Sequence, residues 1–492
     1  MKADDFLASQ ARVRPRHPAL LLDDGTTLDF AALEARTARV AATLAAHGIR
    51  RGDTILSLLP AGASFVSLVH AMPRMGALLA VLSPNSTAAE VARALALTCP
   101  KLVVACRGAR GLAAGSADPT AILEVEADAG WPATDRTEVD ASAEVPQVDR
   151  AIPQTMLFTS GTTGAPKGIL HTPANYAAST EASTACLGSG PRDAWLAAMP
   201  LHHMGGLAIL MRSVILGTTV VLQAGFDARR VAEALLSGRV SQVSVVPTML
   251  DRLVMALDGR ALPKALRFVL VGGALATDVQ LRRAREAGLP VAPTYGMTET
   301  TSQVATAAPR QEEFGTGEVG LALPGNEIRV VDPAGHVFAK GTGAIEVRGP
   351  VVAAGRLVAA GRIESLVDGE GWLATRDAGH LDDDGTLTVL GRLDEVIVTG
   401  GENVAPGEVE AALADHPAVA EVGVVGLPDD AWGMAVAAFV VPQSGTSPSL
   451  EDLRTHGAQR LARYKLPRVL RLVPALPRTA SGKLKRRELV RD

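Results

Sequence analysis

Apolar positions along the chain recur in two rhythms, one helical and one extended, and their alternation predicts layered α/β architecture. From Asp29 onward, Leu33, Thr37, Val40, Ala41 and Leu44 fall on one helical face. Asp29 is suited to cap that helix and Gly48 to end it. The short apolar runs 102–105, 219–222, 243–246 and 268–271 read as buried parallel strands. The greasiest stretch, 65–82, is broken by His70, Pro73 and Arg74, which predicts core rather than a membrane span. Residues 107–150, rich in Ala, Asp, Glu and Gly, predict an irregular solvated connection. From about residue 385, short strands, turns and helical stretches predict a small α+β domain.

Composition narrows this picture. A chain of 492 residues exceeds one hydrophobic core, so several domains or subdomains are expected. The net charge of −4, with both signs interspersed, leaves no basic footprint for nucleic acid. Cys99, Cys106 and Cys186 have no paired spacing, which argues against a disulfide or zinc framework and for a reducing compartment. The acidic start, Lys2-Ala3-Asp4-Asp5, lacks the apolar run of a secretory signal. A cytoplasmic protein without a membrane span is the expectation, and self-association into a homo-oligomer is compatible with it.

The densest chemistry lies at Thr159, Ser160, Gly161, Thr162, Thr163 and Gly164, followed by Lys167. Glycines let backbone approach an anion, hydroxyls and amides donate toward oxygen, and the ammonium supplies a point charge suited to phosphate. The spacing is not that of the P-loop, because GxxxxGK[ST] fails and no hydroxyl residue follows Lys167. Taken alone, such a run suits a polar surface loop equally well. Downstream, Gly272, Gly273 and Ala274 follow an apolar run, where α/β sheets open toward ligands. The run Tyr295-Gly296-Met297-Thr298-Glu299 offers an aromatic ring, a hydroxyl and a hard carboxylate suited to Mg²⁺ on phosphate oxygens.

In this order, these motifs resemble the adenylate-forming superfamily of acyl-CoA synthetases, nonribosomal adenylation domains and luciferases. The resemblance implies an α/β fold: a large N-terminal multi-subdomain adenylate-forming domain, here 1–392, and a small mobile α+β C-terminal domain, here 393–492. It implies ATP, Mg²⁺ and coenzyme A as ligands and a small-molecule carboxylic acid as substrate. Through it, the 159–164 loop, Lys167, Gly272, Gly273 and Ala274 are assigned to ATP, and Tyr295, Gly296, Met297 and Thr298 to its adenine side. Glu299 and Thr159 are assigned to the metal. Asp377 and Arg392 would meet the ribose, and Asp394 would be the hinge. Gly400 and Gly401 would line the pantetheine tunnel, and Lys483 would be the lysine of the adenylation step. Arg376 stands where the superfamily normally has Gly, which leaves its local backbone in question.

His203 matches the superfamily histidine near the acyl channel. Its neighbour His202 is expected to point elsewhere, as adjacent side chains do, so no His-His metal site is expected. Arg212 lies in an otherwise apolar helical stretch, where a charge requires a partner; an outside salt bridge and a substrate contact both satisfy that need. The segments 199–217 and 295–306 resemble the o-succinylbenzoate–CoA ligases of menaquinone synthesis. That substrate keeps a second, ionised carboxylate, which implies Arg212 as its cation with Ser302 or Gln303 as hydrogen-bonding neighbours. The rival is a medium- or long-chain fatty-acyl or aryl-acid CoA ligase. A non-catalytic nucleotide-binding module fits less well, since both Glu299 and Lys483 are present.

Overall fold

The computed structural model describes residues 2–109, 111, 121–128, 131, 145–160, 166–310, 313–399, 402–430, 432–479, 482 and 484–490. Apolar runs of the first third pair side by side. Strand Thr54–Leu58 lies parallel to Leu78–Val81 and to Leu102–Ala105, so Ile55 faces Leu79 on one side and Leu102 on the other. Thr155–Ser160 joins Leu78–Val81 in parallel, and Pro166–His171 folds back antiparallel onto it. All belong to an eight-stranded sheet. Lys167 therefore stands directly opposite Thr159 across a hairpin, rather than at the start of a helix.

A fourteen-stranded sheet forms the second layer. One half is parallel and includes the predicted runs Thr219–Leu222, Gln242–Val245 and Phe268–Val271. At Val291–Met297 the pairing changes: Phe268–Val271 lies parallel on one side, Ser302–Thr306 antiparallel on the other. The antiparallel half continues through Glu318–Ala322, Leu387–Arg392 and Leu373–Leu381. The helix predicted after Asp29 spans Phe30–Ala46; the Asp29 carboxylate accepts the Ala32 N–H at 2.7 Å, and Leu33, Thr37, Val40 and Leu44 are buried.

Helix Ala63–Met75 is core, as its interruptions predicted. Its Arg74 is buried but paired, with Asp5 at 2.8 Å and with Glu34. Among the described residues no helix is long and apolar enough to cross a membrane.

Two segments of the stretch 107–150 depart from its reading as irregular, while residues 110, 112–120, 129, 130 and 132–144 of it lie outside the described residues. Ala121–Glu124 extends the eight-stranded sheet beside Leu102–Ala105, because Ile122 and Leu123 find apolar partners there despite polar flanks. Gln147–Asp149 pairs with Lys2–Asp4. The change of character near 385 also falls slightly later, since Leu387–Arg392 still belongs to the large sheet, where Leu387 opposes Leu381.

After the turn Leu393–Glu395, a separate five-stranded sheet begins at Ile397. Helices Pro406–Leu413 and Leu450–Gly457 cover it over a core of Ile397, Val409, Leu413, Val424, Val436 and Leu453. This small sheet meets the large layers through close backbone approaches. A Cβ on Gly407 would come within 2.9 Å of Leu275, and one on Gly482 within 2.6 Å of the Thr248 hydroxyl.

Candidate active site

The change of strand direction at Val291–Met297 leaves its C-terminal end open, and the chain turns there through residues that only strong local restraint would hold. Thr301 and Ser302 have φ of 48° and 93°, left-handed values that cost on the order of 1–2 kcal/mol per non-glycine residue. Hydrogen bonds hold this corner, several of them from side chains. Thr301 Oγ1 donates to Val351 O at 2.8 Å, Ser179 Oγ to Thr301 O at 2.7 Å, and Thr300 Oγ1 to Ser302 O at 3.2 Å. Gly296 fits only as glycine, since a Cβ would stand 1.6 Å from Ser302 O.

The corner presents Glu299 toward a charged cluster. Tyr295 Oη donates to Asp377 Oδ2 at 2.7 Å; burial and then the carboxylate push the phenol well above its ordinary value, so it remains a donor. Asp377 lies opposite Arg392 on adjacent strands, with their charges 3.3 Å apart, and Arg392 also reaches Asp394 at 3.2 Å. Burial raises the Glu299 carboxyl above the usual range, and Arg392 and Arg356 partly oppose that. Among the described residues its carboxylate makes no ion pair. No group of three or more metal-ligating side chains occurs among the described residues. A single hard carboxylate whose desolvation cost is only partly offset still fits Mg²⁺, which takes one or two protein carboxylates and draws its other ligands from phosphates and water.

Arg376, on the strand beside Asp377, adopts φ 65°. The backbone thus keeps a glycine-like shape although the residue is arginine, and Asp377 stays in register with Arg392. Gly272 and Gly273 line the neighbouring strand end. A Cβ on Gly273 would meet Val246 at 3.3 Å, and one on Gly482 would meet the same valine at 3.2 Å, so both glycines lie close to Val246.

On the acid side, His203 precedes helix Met204–Leu216 as its N-cap. The expectation that His202 points away fails. Their rings lie 4.5 Å apart, because residues 201–203 form a turn rather than an extended strand. Burial, and then its neighbour, lower the His202 imidazole to about 4, and burial lowers His203 as well, so both favour the neutral form.

Arg212 is 3% exposed. Its Nη2 lies 3.5 Å from Ser179 Oγ, the guanidinium sits 5.3 Å from the Trp195 ring centre, and Nε has no partner. No carboxylate pairs with it among the described residues, and burial lowers it to about 10. Through Ser179 it is one side chain removed from Thr301, and so adjoins the corner carrying Ser302. Gln303 is buried, with Nε2 donating to Thr306 Oγ1 at 2.8 Å and Oε1 unsatisfied.

The AMP-binding enzyme profile matches residues 7–357, and its C-terminal domain profile residues 408–483. The chain belongs to the AMP-binding enzyme family. Similar members include 2-succinylbenzoate–CoA ligases from Geobacillus kaustophilus, 38% identical over 99% of this chain and 97% of that protein, and from Bacillus licheniformis, 36% identical over 99% and 100%. Among solved structures, Bacillus subtilis o-succinylbenzoate coenzyme A synthetase with its acyl-adenylate intermediate matches with a TM-score of 0.87 at 34% identity, covering 100% of this chain and 99% of that one. The same enzyme with ATP and magnesium gives 0.86 at 33%, covering 100% of each. ATP-bound MatB from Rhodopseudomonas palustris gives 0.85 at 26%, covering 99% of this chain and 98% of that one.

As an AMP-binding enzyme, the chain brings Tyr295, Glu299, Asp377 and Arg392 into one cluster, and Arg212 beside the corner of Thr301 and Ser302. Gly161, Thr162, Thr163, Gly164, Gly400, Gly401 and Lys483 lie outside the described residues; Thr159 and Ser160 end the strand leading to that loop. Sequence reasoning missed His171, Asn175 and Ser179. His171 Nε2 lies 2.7 Å from Thr298 O; burial lowers the ring to about 4, so it is neutral and donates. Asn175 Nδ2 donates to Pro350 O and Val352 O, each at 2.9 Å. The capping box Thr172-Pro173-Ala174-Asn175 was the one signal available.

Proposed function

We propose that this chain is a cytoplasmic 2-succinylbenzoate–CoA ligase: 2-succinylbenzoate, ATP and coenzyme A give 2-succinylbenzoyl-CoA, AMP and diphosphate. One carboxylate oxygen attacks the α-phosphorus of ATP and diphosphate leaves. The coenzyme A thiol then attacks the acyl carbon of the acyl-adenylate, losing its proton, and AMP departs. The observation that carries the choice of acid is Arg212, a buried cation without an acidic partner among the described residues, joined by Ser179 to the corner beside Glu299. An acid with a second, ionised carboxylate supplies the missing partner. A monocarboxylate would leave the guanidinium buried and unpaired.

In this reading residues 1–392 bind ATP and the acid, and residues 393–492 form the lid. The Asp377 carboxylate, held by Tyr295 and flanked by Arg392, accepts from the ribose hydroxyls. Lys167 and the hydroxyl-rich loop neutralise phosphate charge, and Lys483 reaches the forming acyl–phosphate bond. Glu299, with Thr159, would hold Mg²⁺, which supplies charge neutralisation on the phosphates. The approach of Gly482 to Val246 and Thr248 supports a lid turned toward the ATP side. Release of diphosphate requires that lid to move, about Asp394, before the thiol enters past Gly400 and Gly401.

The test is acid-dependent exchange of labelled diphosphate into ATP, followed by CoA-dependent AMP release, with 2-succinylbenzoate, benzoate and decanoate compared. We expect kcat/KM for 2-succinylbenzoate to exceed the other two by at least ~100-fold, equivalent to about 2.7 kcal/mol of differential binding. Equal turnover of benzoate or decanoate would reassign the enzyme to aryl- or fatty-acid activation.

A further inference from the structure

Helix Arg486–Leu489 begins three residues after Lys483, and its first side chain bonds to several separate elements. Arg486 Nη1 donates to Glu395 Oε2 at 2.8 Å. Its Nη2 reaches both oxygens of Glu410, each at 2.7 Å, and Nε donates to Val424 O at 3.1 Å. Glu395 closes the turn Leu393–Glu395 and follows Asp394 directly. Glu410 lies on helix Pro406–Leu413 and also accepts the Val424 N–H at 2.8 Å, while Val424 belongs to the strand Val419–Asp429 at the edge of the small sheet. One planar guanidinium therefore ties the hinge turn, a helix, the edge strand and its own helix Arg486–Leu489 to each other. Arginine suits this because its donors form a rigid fork that satisfies a carboxylate bidentately while others point elsewhere.

The described residues of the segment before that helix bond to one another. Arg478 and Leu484 pair as a bridge, Gly482 N donates to Thr479 O at 2.9 Å, and Lys485 N donates to Pro477 O at 2.9 Å. Arg478 Nη1 donates to Gly482 O at 3.0 Å while its other nitrogen holds Glu421 at 2.7 Å. The residues on both sides of Lys483 are thus fixed within the loop, and Arg486 fixes the loop's exit relative to the hinge.

We propose that Arg486 is a positioning residue for the adenylation half-reaction: by binding Glu395 and Glu410 together, it sets the register between the hinge turn and the loop that carries Lys483. The proposal rests on the acyl-CoA ligase reading. A charge that must meet a transition state is effective only when held to a fraction of an ångström, so slack between hinge and loop is felt in the step that uses the lysine. The thiol-transfer step, made with the lid turned away, does not use that register.

The experiment compares Arg486→Met, which keeps the bulk, and Glu395→Gln, which removes only the charge of the hinge contact, with wild type and with Lys483→Ala. Diphosphate exchange is measured at saturating ATP, and thioester formation from supplied acyl-adenylate separately. For Arg486→Met we expect exchange kcat to fall at least ~10-fold with the ATP KM within ~3-fold, and thioester formation within ~3-fold of wild type. Glu395→Gln should lose exchange in the same direction, by a smaller factor, with an unchanged melting temperature. Equal loss in both half-reactions for Arg486→Met would reduce the residue to a structural clamp and overturn the proposal. Full exchange activity in Glu395→Gln would do the same, and that variant decides the matter should Arg486→Met fail to fold. If Lys483→Ala itself fails to separate the half-reactions, the ligase mechanism fails; if it separates them and the other variants do not, only the role of Arg486 fails.

Discussion

In the proposed function, Arg212 would concentrate the recognition of the acid in one side chain. Taking a guanidinium out of water costs several kcal/mol unless a carboxylate or several acceptors replace the solvent, and here Ser179 at 3.5 Å and the Trp195 ring are the contacts found among the described residues. The free protein therefore carries a cost that a dianionic substrate, bound as proposed, would remove. Opposite effects are expected from Arg212→Met. The KM for 2-succinylbenzoate should rise at least ~10-fold, since a hydrogen bond to a charged group contributes about 1.5–3 kcal/mol. The melting temperature without ligand should stay level or rise, because an apolar side chain of similar length removes the buried charge. Steady-state kinetics and calorimetry on the same preparation check both; an unchanged KM would remove Arg212 from the pocket.

Among elements, the turn from Val291–Met297 into Ser302–Thr306 is the one on which the site is built. It leaves no room for a methyl group at Gly296, where the obstacle is backbone, Ser302 O at 1.6 Å, and cannot rotate aside. Gly296→Ala is expected to destabilise by at least ~3 kcal/mol or to abolish soluble expression, as overpacking against fixed backbone does. Gly190→Ala, where a Cβ meets nothing within 4 Å, should change stability by less than about 0.5 kcal/mol. Chemical denaturation of the two variants separates them.

How far such elements were legible depended on range. The strands Thr219–Leu222, Gln242–Val245 and Phe268–Val271 and the Asp29-capped helix follow from local pattern, because burial on both faces or along one stripe writes itself into neighbouring residues. The motif residues Tyr295, Glu299, Asp377 and Arg392 were legible as types, but not the bond from Tyr295 Oη to Asp377, which joins residues 82 apart. Ser179 and His171 were invisible for the same reason. Their partners, Thr301 O and Thr298 O, are backbone atoms 122 and 127 residues away, and nothing in a helix such as Pro173–Leu187 marks a serine as a support for a distant corner. The contact of His202 with His203 was misjudged because alternation holds along strands, and a turn stands there instead.

For the whole molecule, burial of histidines in the large layers makes stability depend on pH in a defined window. His70 and His171 are 3% and 0% exposed, and burial lowers each to about 4 from an ordinary value of 6.5. Between those values the unfolded chain binds a proton that the folded chain refuses, so stability falls as pH drops from 6.5 toward 4. Asp251, Glu299 and Glu410 act in the opposite sense: burial raises each carboxyl, and the folded state gains relative to the unfolded one as they protonate. Comparing wild type with His70→Gln isolates one histidine from that background. His70 packs beside the buried Asp5–Arg74 pair, whose charges oppose one another in their effect on the ring, so desolvation sets the sign. Gln cannot take up a proton, and whatever packing it disturbs is lost equally at both pH values. Between pH 7 and pH 5 the wild type is expected to lose about 2 kcal/mol more than the variant, from linkage with pKa values of 4 and 6.5. Urea unfolding midpoints at the two pH values measure this directly, and equal losses would mean that the buried imidazole is not what weakens the large domain in acid.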